Sequence, residues 1–193
     1  MSKIVKAPAE VLRSKTEPVD KLDKKVLAVI SDMYTILLSQ KDPEGVGLAA
    51  PQIGVPLRIF LTRPIVSPKK DSSQVNLFIN PVITNLSRDT VSPNTKNGIL
   101  EGCLSMTGYY GYVRRSKSVT IKYQTMQGGP TESDKQDDTP TLIEKTQTFS
   151  GFHAQIIQHE YDHLQGILFI DKILEQNGKL YEVKGDDWHQ VDI

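Results

Sequence analysis

From Leu22 to Leu38 the apolar side chains Leu22, Val26, Val29, Ile30, Met33, Ile36, Leu37 and Leu38 recur at helical spacing, with Lys and Asp between them. Such spacing places them on one face, so residues 21–40 are expected to form an N-terminal amphipathic helix. Beyond Asp42-Pro43-Glu44-Gly45 the texture changes to short β-type runs: Val46–Ala50, Leu57–Thr62, Val75–Leu86, Ile99–Leu104, Tyr109–Val113 and Val119–Met126. Pro and Gly separate these runs, which is the punctuation of a mainly antiparallel β region. Residues 127–140 hold almost nothing apolar and are expected to be a long, mobile hairpin connection; Thr141–Phe149 then resumes strand character. A second helical stripe, Phe152, Ile156, Ile157, Tyr161 and Leu164, follows Ser150-Gly151 and stops at Gly166. The chain turns apolar again over Ile167–Ile170, and residues 171–193 are expected to be an irregular polar tail.

The 193 residues suit a single domain spanning 1–193 and can bury a real core. Twenty-three basic residues balance 23 acidic ones, so no whole-molecule field draws the chain to nucleic acid or anionic lipid. No stretch of about 18 consecutive apolar residues offers a membrane span, and the N-terminus has no secretory or import pattern. With a single cysteine no intrachain disulfide can form, which fits a reducing, cytoplasmic setting and makes Cys103 a question of chemistry.

His159-Glu160-Tyr161-Asp162-His163 lies on the second helical stripe. Residues four apart share a helix face, so both imidazoles can meet one ion while Glu160 stands beside it to take a proton from water. The expected architecture is therefore α+β, with antiparallel sheets packed around this C-terminal helix. A catalytic ion needs a third ligand. Phe169 occupies the position where an extended three-histidine pattern would place its last histidine; Glu175, Glu182 and Cys103 remain candidates, the glutamates as in a zinc endopeptidase. Gly102 beside Cys103 permits close backbone approach to a ligand. Gly45–Gly54 combines small residues with the Gln52 amide and could form a cleft wall, but it matches no phosphate-loop pattern.

Taken together, Gly45–Gln52 (GxGLAAxQ), Glu101–Ser105 (EGCLS) and Gln158–Gly166 (QHExDHLxG) resemble the three blocks that define the peptide deformylases, in the same order, within a likeness running from about Ile4 to Ile173. The resemblance implies that Cys103, His159 and His163 hold one divalent ion, usually Fe²⁺, with Zn²⁺, Ni²⁺ or Co²⁺ able to take its place. It implies that Glu160 is the proton acceptor, and that the Gln52 amide and Leu104 N–H meet the developing oxyanion. Val46, Gly47, Leu104 and Ile156, with His159 at the border, would line the pocket for the methionine side chain. The substrates implied are N-formyl-methionyl nascent peptides.

Some features depart from the common pattern. Met106-Thr107-Gly108-Tyr109-Tyr110-Gly111-Tyr112 follows the second block where many relatives continue with an apolar residue and Pro. Asp171–Ile193 carries three Lys against six acidic residues, so it is no basic tail for ribosomal RNA, and at most a transient ribosome contact is expected. Glu101 and Arg115 flank the turn through Gly108 and Gly111, and a pair between them would pin the Cys103 strand.

Overall fold

Asp23 sets the start of the first helix. Its carboxylate accepts the backbone N–H groups of Lys25 and Val26, each at 2.9 Å, so α1 spans Lys24–Ser39 rather than beginning near residue 21. The computed structural model describes residues 3–41, 44–63, 75–91, 100–127 and 140–192. Most of the expected 127–140 connection, residues 128–139, lies outside the described residues, as does Ile99.

Five strands form one antiparallel sheet: β1 (Gly47–Ala49), β2 (Ile59–Thr62), β3 (Asn76–Leu86), and, after the short β4 (Thr90–Val91), β5 (Leu100–Cys103), β6 (Met106–Tyr112) and β7 (Arg115–Ser116), β8 (Ser118–Gln127) and β9 (Thr141–Ser150), in the order β1-β2-β3-β8-β9. Both of its faces are covered. Ile59, Leu61, Leu77 and Ile79 meet the α1 side chains Ile30, Met33 and Leu37; Phe60 and Phe78 face the other way. There they meet Ala154 and Ile157 of α2 (Gly151–His163). This two-sided burial is why the strands read as near-continuous apolar runs instead of alternating with polar residues. Phe78 anchors the second face, with ring centroids 4.6 Å from Phe60 and 4.4 Å from Tyr123.

The expected irregular tail is instead folded. Residues 169–175 form α3 (Phe169–Glu175), and β10 (Leu180–Lys184) and β11 (Asp187–Val191) make an antiparallel hairpin. Strand β10 pairs with β6 at Leu180↔Gly111 and Tyr181↔Tyr110, completing a four-stranded sheet in the order β11-β10-β6-β5. Ile173 and Leu180, with Phe169, Val113 and Cys103, form a small core under this sheet. Two isolated apolar anchors in a polar stretch are enough to dock a hairpin but too few to set up a visible period.

Helix α2 is tied to the strands around it. The Gln158 side chain accepts the Ser116 N–H at 3.1 Å and donates to the Ser116 carbonyl at 3.0 Å, linking α2 to β7. Near the N-terminus, Val5 N–H donates to the Gln52 carbonyl at 2.8 Å and Ala7 N–H to the Ser105 carbonyl at 3.0 Å, so one short segment stitches two distant loops together. No helix among the described residues is long and apolar enough to cross a membrane.

Candidate active site

The end of β5 and the last two turns of α2 face each other. His159 and His163, four residues apart, turn their rings to the same side, with centroids 5.0 Å apart. Cys103 Sγ lies 3.3 Å from His163 Nε2, and one ligand atom from each of Cys103, His159 and His163 lies within 4.8 Å of the others. Tetrahedral coordination with bonds of about 2.0–2.3 Å separates neighbouring ligand atoms by about 3.3–3.8 Å, so this trio fits a divalent transition ion. Glu175 and Glu182 are not part of the cluster: Glu175 pairs with Lys172 at 3.0 Å, and Glu182 with Lys184 at 2.8 Å and the Tyr109 hydroxyl at 3.0 Å.

The charge state of the trio follows from its neighbours. Burial alone would push the Cys103 thiol up, but the His163 and His159 imidazoles outweigh it and hold the thiol well below its usual range. Burial likewise opposes a charge on His159, yet the Cys103 sulfur and the Glu101 carboxylate raise its pKa well above the ordinary value. A buried thiolate next to a buried carboxylate is a setting that a bound cation neutralises.

Glu101 is the hub behind the trio. Its carboxylate accepts two hydrogen bonds from Arg115, from Nε at 2.8 Å and Nη2 at 2.9 Å, and both side chains are almost fully buried. It also meets His159 Nδ1 at 3.0 Å and Gln155 Nε2 at 3.3 Å, while Arg115 Nη1 reaches Asp162 at 2.6 Å. The expected Glu101–Arg115 pair is therefore present, and it does more than pin β5. By occupying Nδ1 of His159 it leaves Nε2 to face Cys103. Burial of Glu101 would raise its pKa, but the Arg115 and His159 partners override it and lower it to about 2.

Glu160, next to His159, has the opposite character. Burial drives its pKa up to about 7, with the two imidazoles countering only in part. Among the described residues its Oε2 is buried without a hydrogen-bond partner, as is His163 Nδ1. Gly47 makes room for this carboxylate: a Cβ on Gly47 would lie 2.2 Å from Glu160 Oε1. Gln52 is held at both ends of its amide, with Oε1 accepting the Ala49 N–H at 2.8 Å and Nε2 donating to Cys103 Sγ at 3.3 Å and Ser105 Oγ at 3.4 Å.

These groups border a cavity of ≈ 240 Å³ whose wall includes Val46, Gly47, Gln52, Cys103, Leu104, Ile156, His159 and Glu160. His163 lies behind it, 1% exposed. Tyr110, Phe152 and Gln155 also line the cavity and were not singled out from the sequence. Gln155 has a local signal, since it stands four residues before His159 on the same helix face; Tyr110 lies in the segment that departs from the family pattern, but which of its side chains meets the cavity depends on strand register.

A family model described as polypeptide deformylase matches residues 1–179. A peptide deformylase of Pseudothermotoga lettingae is 37% identical over 163 residues, 84% of this chain and 77% of the relative. Among solved structures, the Plasmodium falciparum peptide deformylase is 34% identical with a TM-score of 0.67, over 88% of this chain and 85% of that one. A class I type b peptide deformylase from Acinetobacter baumannii, solved with Met-Ala-Ser bound, is 27% identical with a TM-score of 0.69, over 90% of this chain and 98% of that one. Nothing in these likenesses supports the zinc endopeptidase, and its proposed glutamate ligands lie outside the cluster. Because the match runs along nearly the whole chain and extends to the fold, the chain belongs to the polypeptide deformylase family, metal-dependent hydrolases that remove the N-formyl group from newly made polypeptides.

Proposed function

We propose that Cys103, His159 and His163 hold one divalent ion and that the cavity beside them takes the formyl-methionyl end of a nascent chain. The observation that carries this reading is the meeting of the Cys103 thiol and the His159 and His163 imidazoles beside one cavity, with a buried Glu160 oxygen that has no hydrogen-bond partner among the described residues. When bound, the ion supplies Lewis-acid chemistry that makes water acidic enough to be deprotonated near neutral pH. Fe²⁺ is the ion proposed in the cell, with Zn²⁺, Ni²⁺ or Co²⁺ able to occupy the same ligands, since this donor set suits all of them.

The chain's own groups do the rest. Val46, Gly47, Leu104 and Ile156 enclose the methionine side chain in a mostly apolar wall, supported by their shared place on the cavity. Glu160, buried beside the trio, accepts the proton of the attacking water and returns it to the leaving amine as the C–N bond breaks, releasing formate and a free N-terminus. Gln52 Nε2 and the Leu104 N–H serve as donors to the formyl oxygen as it gains negative charge, and the Ala49 bond to Gln52 Oε1 fixes which end of that amide faces the site. A peptide beginning with Met in the A. baumannii relative accords with this substrate. The buried, unpaired Cys103 accords with action in the cytoplasm.

Two variants test the assignment. Glu160→Gln is expected to keep one equivalent of metal by elemental analysis while losing roughly 10²–10⁴-fold in turnover of formyl-Met-Ala-Ala. Cys103→Ala is expected to lose the metal itself. A Glu160→Gln protein without metal would make the carboxylate a ligand, and full metal and turnover in Cys103→Ala would remove the thiolate from the site.

A further inference from the structure

The Tyr-rich stretch after the second sequence block is β6, and strand alternation divides its side chains between two faces. Gly111 pairs with Glu101 and Leu180 and faces α3, where a Cβ on it would lie 2.2 Å from Ile173. Tyr110 pairs with Gly102 on one side and Tyr181 on the other, so it belongs to the opposite, outward face. There its ring fills the space above Gly102, since a Cβ on Gly102 would lie 2.6 Å from it. Trp188 of β11 packs on Tyr110 with centroids 5.3 Å apart and approaches Tyr181 at 6.3 Å, yet remains 51% exposed. Tyr110 and Gly102 are also part of the cavity wall, and β5 is the end strand of its sheet among the described residues. The aromatic surface is thus continuous with the cavity across the β5 edge.

We propose that Tyr110 and Trp188 form a subsite for the second residue of the substrate, favouring an aromatic or large apolar side chain there. The inference rests on the deformylase reading of the cavity and adds a sequence preference to it. In an extended peptide successive side chains point to opposite sides. A peptide laid along the β5 edge with its methionine in the cavity would turn its next side chain to the outward face, where Gly102, the neighbour of Cys103, lies. Gly102 presents no side chain to block it, and the surface it meets is the Tyr110 ring backed by Trp188. Offset or edge contacts between aromatic rings favour such a residue over alanine.

Trp188 is the only tryptophan of the chain, so the subsite carries its own reporter. The metal-loaded protein is titrated with the product peptides Met-Phe-Ala and Met-Ala-Ala while Trp188 emission and its quenching by acrylamide are followed. Met-Phe-Ala is expected to shift the emission to the blue and reduce quenching; Met-Ala-Ala is not. In the corresponding formyl peptides, phenylalanine is expected to raise kcat/KM roughly threefold to tenfold, through KM. Trp188→Ala is expected to bring that ratio close to one. A ratio equal in both proteins, or an emission that ignores Met-Phe-Ala, overturns the subsite alone. Emission that shifts with protein concentration and no peptide assigns the face to a second copy of the chain and also overturns it. Absence of turnover with either formyl peptide overturns the deformylase reading, and the subsite with it.

Discussion

Glu101 and Glu160 are buried within one cluster, yet their carboxyls respond to it in opposite directions, because one has a guanidinium partner and the other, among the described residues, has none. Their contributions to stability in the metal-free protein therefore have opposite signs. Glu101, with a folded pKa of about 2, stabilises the fold above the ordinary value of 4.5, and that stability is lost as pH falls from 4.5 toward 2. Glu160, with a folded pKa of about 7, contributes fully below 4.5 and loses its contribution as pH rises through 7. Urea unfolding of the metal-free protein across pH 3–8 measures both. Glu101→Gln is expected to flatten the acid limb and to cost about 3–5 kcal/mol at pH 7, the cost of leaving a buried guanidinium short of its partner. Glu160→Gln is expected to flatten the neutral limb and to stabilise the metal-free protein at pH 7 by about 1–3 kcal/mol. A destabilised Glu160→Gln protein would mean that its carboxylate has a partner in solution and that burial does not govern it.

At the scale of elements, α2 serves two surfaces. Its Ala154 and Ile157 pack on the five-stranded sheet, and its His159, Glu160 and His163 face the cluster at the β5 end. Helix α1 covers the far face of the same sheet and carries none of the cluster. Substitutions in the two helices should separate accordingly. Asp23→Ala removes the α1 cap and is expected to cost about 1 kcal/mol. Ile157→Ala opens a cavity under α2 and is expected to cost about 2–5 kcal/mol. Metal content and KM should change only in the second, because the histidines move with α2. Denaturant midpoints together with metal analysis check this, and a loss of metal in Asp23→Ala would show that the sheet transmits shifts from one face to the other. The helix stripes are legible in the sequence because burial direction repeats with a local period, and the two-sided strands because their apolar runs are short and bounded by Pro and Gly. The C-terminal hairpin is not, since Ile173 and Leu180 anchor it singly.

For the whole molecule, the N-terminal segment ties together the two loops that carry Gln52 and Leu104. Val5 and Ala7 bond the Gln52 and Ser105 backbones, and Lys6 Nζ donates to the Leu104 carbonyl at 2.8 Å, so residues 5–7 hold both proposed oxyanion donors in place. Deleting residues 1–7 is expected to lower kcat/KM by roughly tenfold to a hundredfold while metal content is kept, since small misplacements of positioned donors are costly. Unchanged kinetics would show that Gln52 and Leu104 are held by their own loops. The same long-range joining marks the boundary of what the sequence determines. The His159–Glu160–His163 spacing, the amphipathic stripe of α1 and the apolar runs of the strands are features of local residue order, and the order of residues alone specifies them. Cys103 entered the ligand set by resemblance; its approach to His163, 60 residues away, is an outcome of how β5 packs against α2. Tertiary structure alone added His159 and Gln155 to the expected Glu101–Arg115 pair, folded the tail onto β6 and brought Trp188 onto Tyr110. Those pairings depend on strand register and on the docking of elements far apart in the chain. A local hydrophobic pattern tells which side of an element is buried, but carries no information about which distant side chain it is buried against.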